Sequence, residues 1–387
     1  MRYNFDEIVD RHGTNSLKYD FAAKFGKPEG LIPLWVADMD FRIPPEVTAI
    51  LQKSVEHGIY GYTETIGTAY FDAVYHWFDR VHDFRIQEDW LVKTPGIVYA
   101  LGMAVRAFTQ PGDTVLIQKP LYYPIEKTIV ANGRIAVDNT LVYDNGSYSM
   151  SITDFEQKII ENKCRMFILC NPHNPVGRVW ARDELSEMGR ICRKHGVIVV
   201  SDEIHCDIIF DGHRHLVFSD VCPDVGSVIC TAPSKTFNLA GLQCSNIFIA
   251  DTQLRKLFKK EIHATGYSQL NTMGLVAGQA AYEHGGEWHQ SLMRYLTGNA
   301  VFVKDFIAKK IPPVHVVALE GSYLMWLDFN GFGLSHKEMD DVITNDAKLW
   351  LSSGITFGAT GEGFFRLNLA CPRSVLEEAL SRFHAAF

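Results

Sequence analysis

The sequence predicts an α/β protein: a large domain on a mostly parallel sheet flanked by helices, then a smaller α/β domain at the C-terminal end. Three observations carry this. Five short segments, Thr114–Gln118, Met166–Cys170, Val197–Ser201, Ser227–Thr231 and Asn246–Ala250, are apolar on both faces, as parallel strands covered on both sides require. Helix-period segments lie between them. Near Tyr282–Gly286 this rhythm changes, and a long helix pattern (Trp288–Lys309), Pro312-Pro313 and a hairpin-like stretch (Tyr323–Phe329) follow. The expected division is an N-terminal segment at 1–47 joining the small domain, a large domain at 48–285 and the small domain at 286–387. At roughly 150 residues per domain, 387 residues agree with two.

One crossover can be followed residue by residue. After Met166–Cys170 the turn-rich stretch Asn171–Gly177 precedes a helix expected from about Asp183, whose carboxylate suits an N-cap. Leu185, Met188, Ile191 and Cys192 fall on one face at steps of three and four. Lys194 and His195 suit the negative C-terminal end, and Gly196 suits the left-handed position that closes a helix. The strand Val197–Ser201 follows at once, completing a right-handed βαβ unit.

Composition narrows the function classes. A chain that is 47% hydrophobic and 21% charged has a globular balance, which excludes disordered and low-complexity scaffolds. The formal charge is −8, and no basic block of five or more occurs, which argues against a nucleic-acid or anionic-membrane partner. Apolar runs stay far below the ~18 residues of a spanning helix. Residues 1–16 carry Arg2, Asp6, Glu7, Asp10 and Arg11 without an apolar stretch, so no secretory leader and a cytoplasmic location are expected. The eight cysteines form no C-x-x-C pair and are expected as free, mostly buried thiols.

Ligands of open α/β sheets sit beyond the carboxyl ends of the strands. Polar residues cluster at those ends: Asn171 and Asn174 after one strand, Asp202 and Glu203 at the next, Ser234 and Lys235 after a third. A lysine, an acid and an amide converging on one crevice suit a cofactor with an aldehyde, a basic ring nitrogen and a phenolic oxygen.

The motifs WVADMDF (Trp35–Phe41), GYT (Gly61–Thr63), TPG (Thr94–Gly96), NPHNPVGRVW (Asn171–Trp180), SDEIH (Ser201–His205), SKTFNLAGLQ (Ser234–Gln243) and RLNLACPR (Arg366–Arg373) run in order along nearly the whole chain. With them the sequence resembles the fold-type I pyridoxal 5′-phosphate (PLP) enzymes of the class I/II aminotransferase superfamily, in their cystathionine β-lyase (cysteine C–S lyase) branch.

The resemblance implies roles, with Lys235, Asp202 and Tyr122 as the catalytic set. Lys235 is the Schiff-base lysine, since an amine with a depressed pKa is both nucleophile and base. Asp202 faces the pyridine nitrogen and keeps it protonated. Tyr122 stacks on the ring, with Tyr123 as the competing assignment. Asn174 meets the phenolic oxygen, while Asn171 and Pro172 form the turn. The amides of Gly96 and Ile97, opening an apolar helix (Ile97–Phe108), bind the phosphate with the Ser234 hydroxyl. Tyr62 is supplied by the neighbouring subunit, which implies a homodimer with shared active sites; Tyr60 is the decoy beside it. Arg366 grips the substrate α-carboxylate, and the backbone around Val36 and Ala37 closes over it. Asp38 and Asp40 are structural.

Two positions depart from the transaminase pattern: Gln243 replaces an arginine eight residues after the lysine, and His205 replaces a tyrosine three residues after the aspartate. Both are typical of the lyase branch. The implied reaction is α,β-elimination of L-cystathionine or a related cysteine S-conjugate to a thiol, pyruvate and ammonia. The alternatives are an aminotransferase on the same site and a PLP-bound protein with a regulatory role. His205, His213 and His215 match no zinc template; His205 is assigned to the cofactor pocket, His213 and His215 to a solvated loop, and no metal is expected.

Overall fold

The structure, a computed structural model, describes residues 3–386. Its main sheet has seven strands in the order Leu91–Thr94, Ser245–Phe248, Ser227–Thr231, Ile198–Asp202, Met166–Cys170, Thr114–Ile117 and Ile135–Asp138. Six run parallel. Ser245–Phe248 is antiparallel to both neighbours, which corrects the expected parallel strand at Asn246–Ala250. The physical reason is the connection. A parallel return needs a crossover element running back along the sheet. Between Thr231 and Ser245 the chain makes only a four-residue helix (Pro233–Thr236) and a short turn (Ala240–Leu242), so it re-enters in the opposite sense. The strands Leu91–Thr94 and Ile135–Asp138 were not expected. They are the two edge strands, and their half-exposed residues break the apolar pattern that marks the centre.

The three central strands Met166–Cys170, Ile198–Asp202 and Ser227–Thr231 are almost wholly buried. The crossover helix spans Arg182–His195, one residue longer than expected at its start. Asp183 is therefore not the N-cap: Ala181 takes that place, and its amide donates to the Glu184 carboxylate at 2.8 Å. Leu185, Met188, Ile191 and Cys192 are buried, and Gly196 closes the helix at φ 66°.

A second sheet of four strands follows the long helix Gly286–Lys310: His315–Val316, Leu324–Asp328, Phe364–Asn368 and Ser352–Ser353. The hairpin-like stretch at 323–329 is thus the strand Leu324–Asp328, paired antiparallel on both sides. Ile32–Pro33 pairs with Leu349–Trp350, so the N-terminal segment is laid against this part of the chain. Leu34 is buried in the same apolar cluster as Val303, Phe365 and Leu376. All eight cysteines are free and buried. Among the described residues no helix is long and apolar enough to cross a membrane.

Candidate active site

The carboxyl ends of the central strands open into a cavity of about 170 Å³. Its wall includes Ala37, Gly96, Ile97, Tyr122, Asn174, Asp202, His205, Ser234 and Lys235. Each arrives on a predictable element. Asp202 ends its strand, where the side chain leaves the sheet. Lys235 sits on the four-residue helix opened by Pro233, which suits a first helical position. Gly96 is the N-cap of Ile97–Phe108 and no side chain caps that helix, so its first amides are free for an anion.

The electrostatics are unusual because the buried charges are not paired with one another. The Asp202 carboxylate accepts one amide bond, from Ile204 at 3.2 Å, and burial raises its pKa from 3.8 to about 7. Burial lowers Lys235 to about 8; its Nζ donates to the Ala37 carbonyl at 2.6 Å. Arg366 is buried beside the cavity, and burial lowers it to about 10. Its guanidinium donates to Asn174 Oδ1 (2.8 Å), Trp35 O (2.9 Å) and Ser352 Oγ (3.2 Å), and its Nε has no partner among the described residues. None of the three forms an ion pair among the described residues. A buried charge without a counter-charge is costly, so three around one cavity signal a ligand that supplies the missing charges.

A family model for class I and II aminotransferases matches residues 29–383. The chain belongs to that family. It is 41% identical over 385 residues to the cystathionine β-lyase PatB of Bacillus subtilis (strain 168), covering 99% of each chain. Among solved structures it resembles PLP-containing cystalysin of Treponema denticola (36% identity, 100% and 99% of the chains, TM-score 0.95). It also resembles a PLP-bound C–S lyase of Staphylococcus hominis (33% identity, 99% and 98% of the chains, TM-score 0.93).

Family membership directs attention to the residues named from the sequence. Tyr122 lines the cavity, and burial raises its phenol to about 12; Tyr123 is 40% exposed, with Lys127 over its ring. Ala37 lines the cavity and Val36 does not: the Val36 carbonyl accepts from Asn368 Nδ2 instead. Tyr62 lies outside the cavity and is 97% exposed. Asp38 and Asp40 form ion pairs with Arg11 and Lys18.

One histidine departs from expectation. His213 is exposed, but His215 is buried, its Nε2 2.8 Å from a Glu203 carboxylate that is equally buried. The surface-loop reading failed because the buried acid that holds His215 lies twelve residues upstream. A second buried group, His82, Cys206 and Asp207, brings metal-ligand types together. Both Asp207 oxygens are already taken, by His82 and Trp77 on one side and by Thr236 on the other. That arrangement braces the helix carrying Lys235.

Sequence reasoning missed the contribution of Ser322 and Tyr323. Tyr323 donates to the same Ala37 carbonyl that Lys235 uses, at 2.9 Å, and Ser322 Oγ lies 3.2 Å from His205 Nδ1. The one available signal was a Gly-Ser-Tyr turn immediately before a strand.

Proposed function

We propose that this protein is a PLP-dependent C–S β-lyase that cleaves L-cystathionine, or a related cysteine S-conjugate, to a thiol (homocysteine from cystathionine), pyruvate and ammonia. The observation that carries the reading is the set of charges without ion pairs among the described residues, Asp202 and Lys235 in the cavity wall and Arg366 on the wall residue Asn174, in a chain so similar throughout its length to a cystathionine β-lyase. The cofactor is pyridoxal 5′-phosphate, and the residues fit it. The lone buried carboxylate suits a protonated ring nitrogen, the uncapped helix suits a phosphate, and the low-pKa amine suits an aldehyde.

When bound, the cofactor supplies an electron sink conjugated to the substrate Cα. The rest falls to the chain. Arg366 binds the α-carboxylate through its guanidinium, whose bonds to Asn174 and Trp35 fix its plane and with it the amino acid's orientation. Asp202 holds the proton on the ring nitrogen, and Asn174 donates to the phenolic oxygen. Tyr122 covers the ring face. Lys235, with an amine that is partly neutral near pH 8, removes the Cα proton onto Nζ. Loss of the Cβ thiolate follows, and the Lys235 ammonium is the cation in the cavity lining able to return a proton to it; the three-carbon aminoacrylate that remains is released and hydrolysed by water to pyruvate and ammonia.

The reading extends to a cytoplasmic homodimer with the large domain at 48–285 and the small one at 286–387, the segment 1–47 joining the latter. Ile59, Tyr60, Tyr62 and Ile66 are 56–97% exposed together, which supports a partner subunit covering this stretch and receiving Tyr62 at its phosphate end.

The test is pyruvate release from L-cystathionine by PLP-loaded protein with no keto-acid acceptor. Catalytic pyruvate with equal ammonia and homocysteine is the expected result. Turnover that appears only with an acceptor would make the protein an aminotransferase and overturn the proposal.

A further inference from the structure

We propose that Ser322 is a positioning residue for His205: its hydroxyl donates to Nδ1 and so holds the imidazole as the tautomer whose Nε2–H is offered to the cavity, for the phenolic oxygen of bound PLP. This rests on the reading of the cavity as a PLP site and adds to it the residue that sets one hydrogen bond there.

His205 lines the cavity and is 3% exposed. Burial, helped by the positive charges of Lys235 and Arg366, pushes its pKa well below 6.5, so the ring is neutral and has one donor and one acceptor nitrogen. Ser322 Oγ, 3.2 Å from Nδ1, is the protein contact of its nitrogens among the described residues. Nε2 has no such contact, and it is absent from the polar atoms sealed away without a partner, so it borders open space.

The two tautomers differ in what they leave unsatisfied. With the proton on Nδ1, that nitrogen donates to Ser322 Oγ. The Ser322 hydroxyl proton, on a residue 2% exposed, then has no acceptor among the described residues, and Nε2 turns a lone pair rather than a donor into the cavity. With the proton on Nε2, the serine donates to Nδ1 and the ring donates into the cavity. Only this second arrangement gives the buried serine hydroxyl an acceptor within the protein, and it leaves the ring N–H facing the cavity as a donor for an anionic ligand oxygen.

Ser322 is held for the purpose. Its backbone is left-handed, φ 71°, and its amide donates to Ile208 O at 2.7 Å. The preceding Gly321 donates to Gly177 O at 2.9 Å, and a Cβ there would meet Pro172 Cγ and Val179 Cγ2 at 2.9 Å each. The turn is therefore clamped between the 171–179 and 205–209 segments, and the hydroxyl cannot drift from the ring.

The experiment follows the cofactor's visible absorption band against pH in holoenzyme of wild type, Ser322→Ala, Ser322→Thr, His205→Phe and the Ser322→Ala/His205→Phe double variant. A donor to the phenolic oxygen lowers the pH midpoint of that band, so losing it raises the midpoint. Ser322→Ala is expected to raise it by about 0.5–1 pH unit; Ser322→Thr keeps the hydroxyl but places a β-branched side chain at φ 71°, and is expected to fall between wild type and Ser322→Ala. His205→Phe should raise it at least as far, with the double variant no further. Additive shifts, or a coloured Ser322→Ala protein with an unmoved midpoint, would overturn this inference alone. If Ser322→Ala does not fold, Ser322→Cys, with its weak donor, takes its place and is expected to shift in the same direction. A wild-type protein that shows no band with PLP would overturn the site reading and this inference with it.

Discussion

Two groups of buried and half-buried charges meet at the segment Trp35–Phe41 and behave in opposite ways. On one side, Ala37 turns its carbonyl to Lys235 in the cavity wall, where Lys235 and Asp202, and Arg366 bonded to the wall residue Asn174, have no ionic partners among the described residues. On the other, one and three residues along, Asp38 and Asp40 are held by Arg11 at 2.7 Å each, and Lys18, fully buried, sits 2.7 Å from Asp40. The same stretch of backbone thus separates a closed ion cluster from an open one. A closed cluster is scaffolding: each charge is answered within the chain. An open one keeps its charges for a ligand, and perturbed pKa values collect there because nothing in the protein neutralises them.

The comparison predicts where a substitution is felt. Lys235→Ala removes nucleophile and base together and should lower pyruvate release by ~10⁴-fold or more while leaving the melting temperature of the cofactor-free protein within a few degrees. The reverse is expected of Lys18→Met. Without Lys18 the two carboxylates Asp38 and Asp40 must share Arg11 alone, so urea denaturation should show a loss of about 2–4 kcal/mol, with kcat per folded molecule within about twofold of wild type. A Lys18→Met protein of normal stability would show that the closed cluster is not scaffolding.

How far this contrast could be read from the sequence depends on distance along the chain. The βαβ unit at 166–202 was legible because its apolar period, charged helix end and closing glycine lie within one short stretch. Lys235, Asp202, Asn174, Tyr122 and Gly96 were legible because each follows a strand or opens a helix, and such ends face the cavity. What escaped was made by pairing across the chain. The sense of Ser245–Phe248 depends on a connection with no crossover, the edge strands on their position in the sheet, and the burial of His215 on Glu203. Ser322 reaches His205 across 117 residues, and no local pattern marks that contact.

Arg366 sharpens the contrast at the substrate end. Its planar fork already makes bonds to Asn174, Trp35 and Ser352, so a lysine there would keep the charge and lose the fork. Arg366→Lys should lower kcat/KM for L-cystathionine by about 10- to 100-fold, chiefly through KM, with the cofactor's absorption band retained. An unchanged KM would place carboxylate recognition elsewhere.

The smallest expected effect is also the most direct probe of an unanswered charge. Asp202 is raised from 3.8 to about 7 by burial, so between these values the folded cofactor-free protein keeps a proton that the unfolded chain has released. The stabilisation this group provides is complete below about pH 4, declines as pH rises, and is gone above about pH 7. Asp202→Asn cannot titrate. In cofactor-free protein the variant should therefore gain on wild type as pH goes from 5.5 to 8, by about 1–2 kcal/mol in urea melts, since only the part of the decline between pH 5.5 and about 7 falls in this interval and the cavity admits solvent. Added PLP should reverse the order, since a protonated ring nitrogen answers the wild-type carboxylate and gains nothing comparable from the amide. An advantage for Asp202→Asn that is equal at both pH values, or that survives PLP, would mean that Asp202 belongs with Asp40 among the charges the protein has already answered.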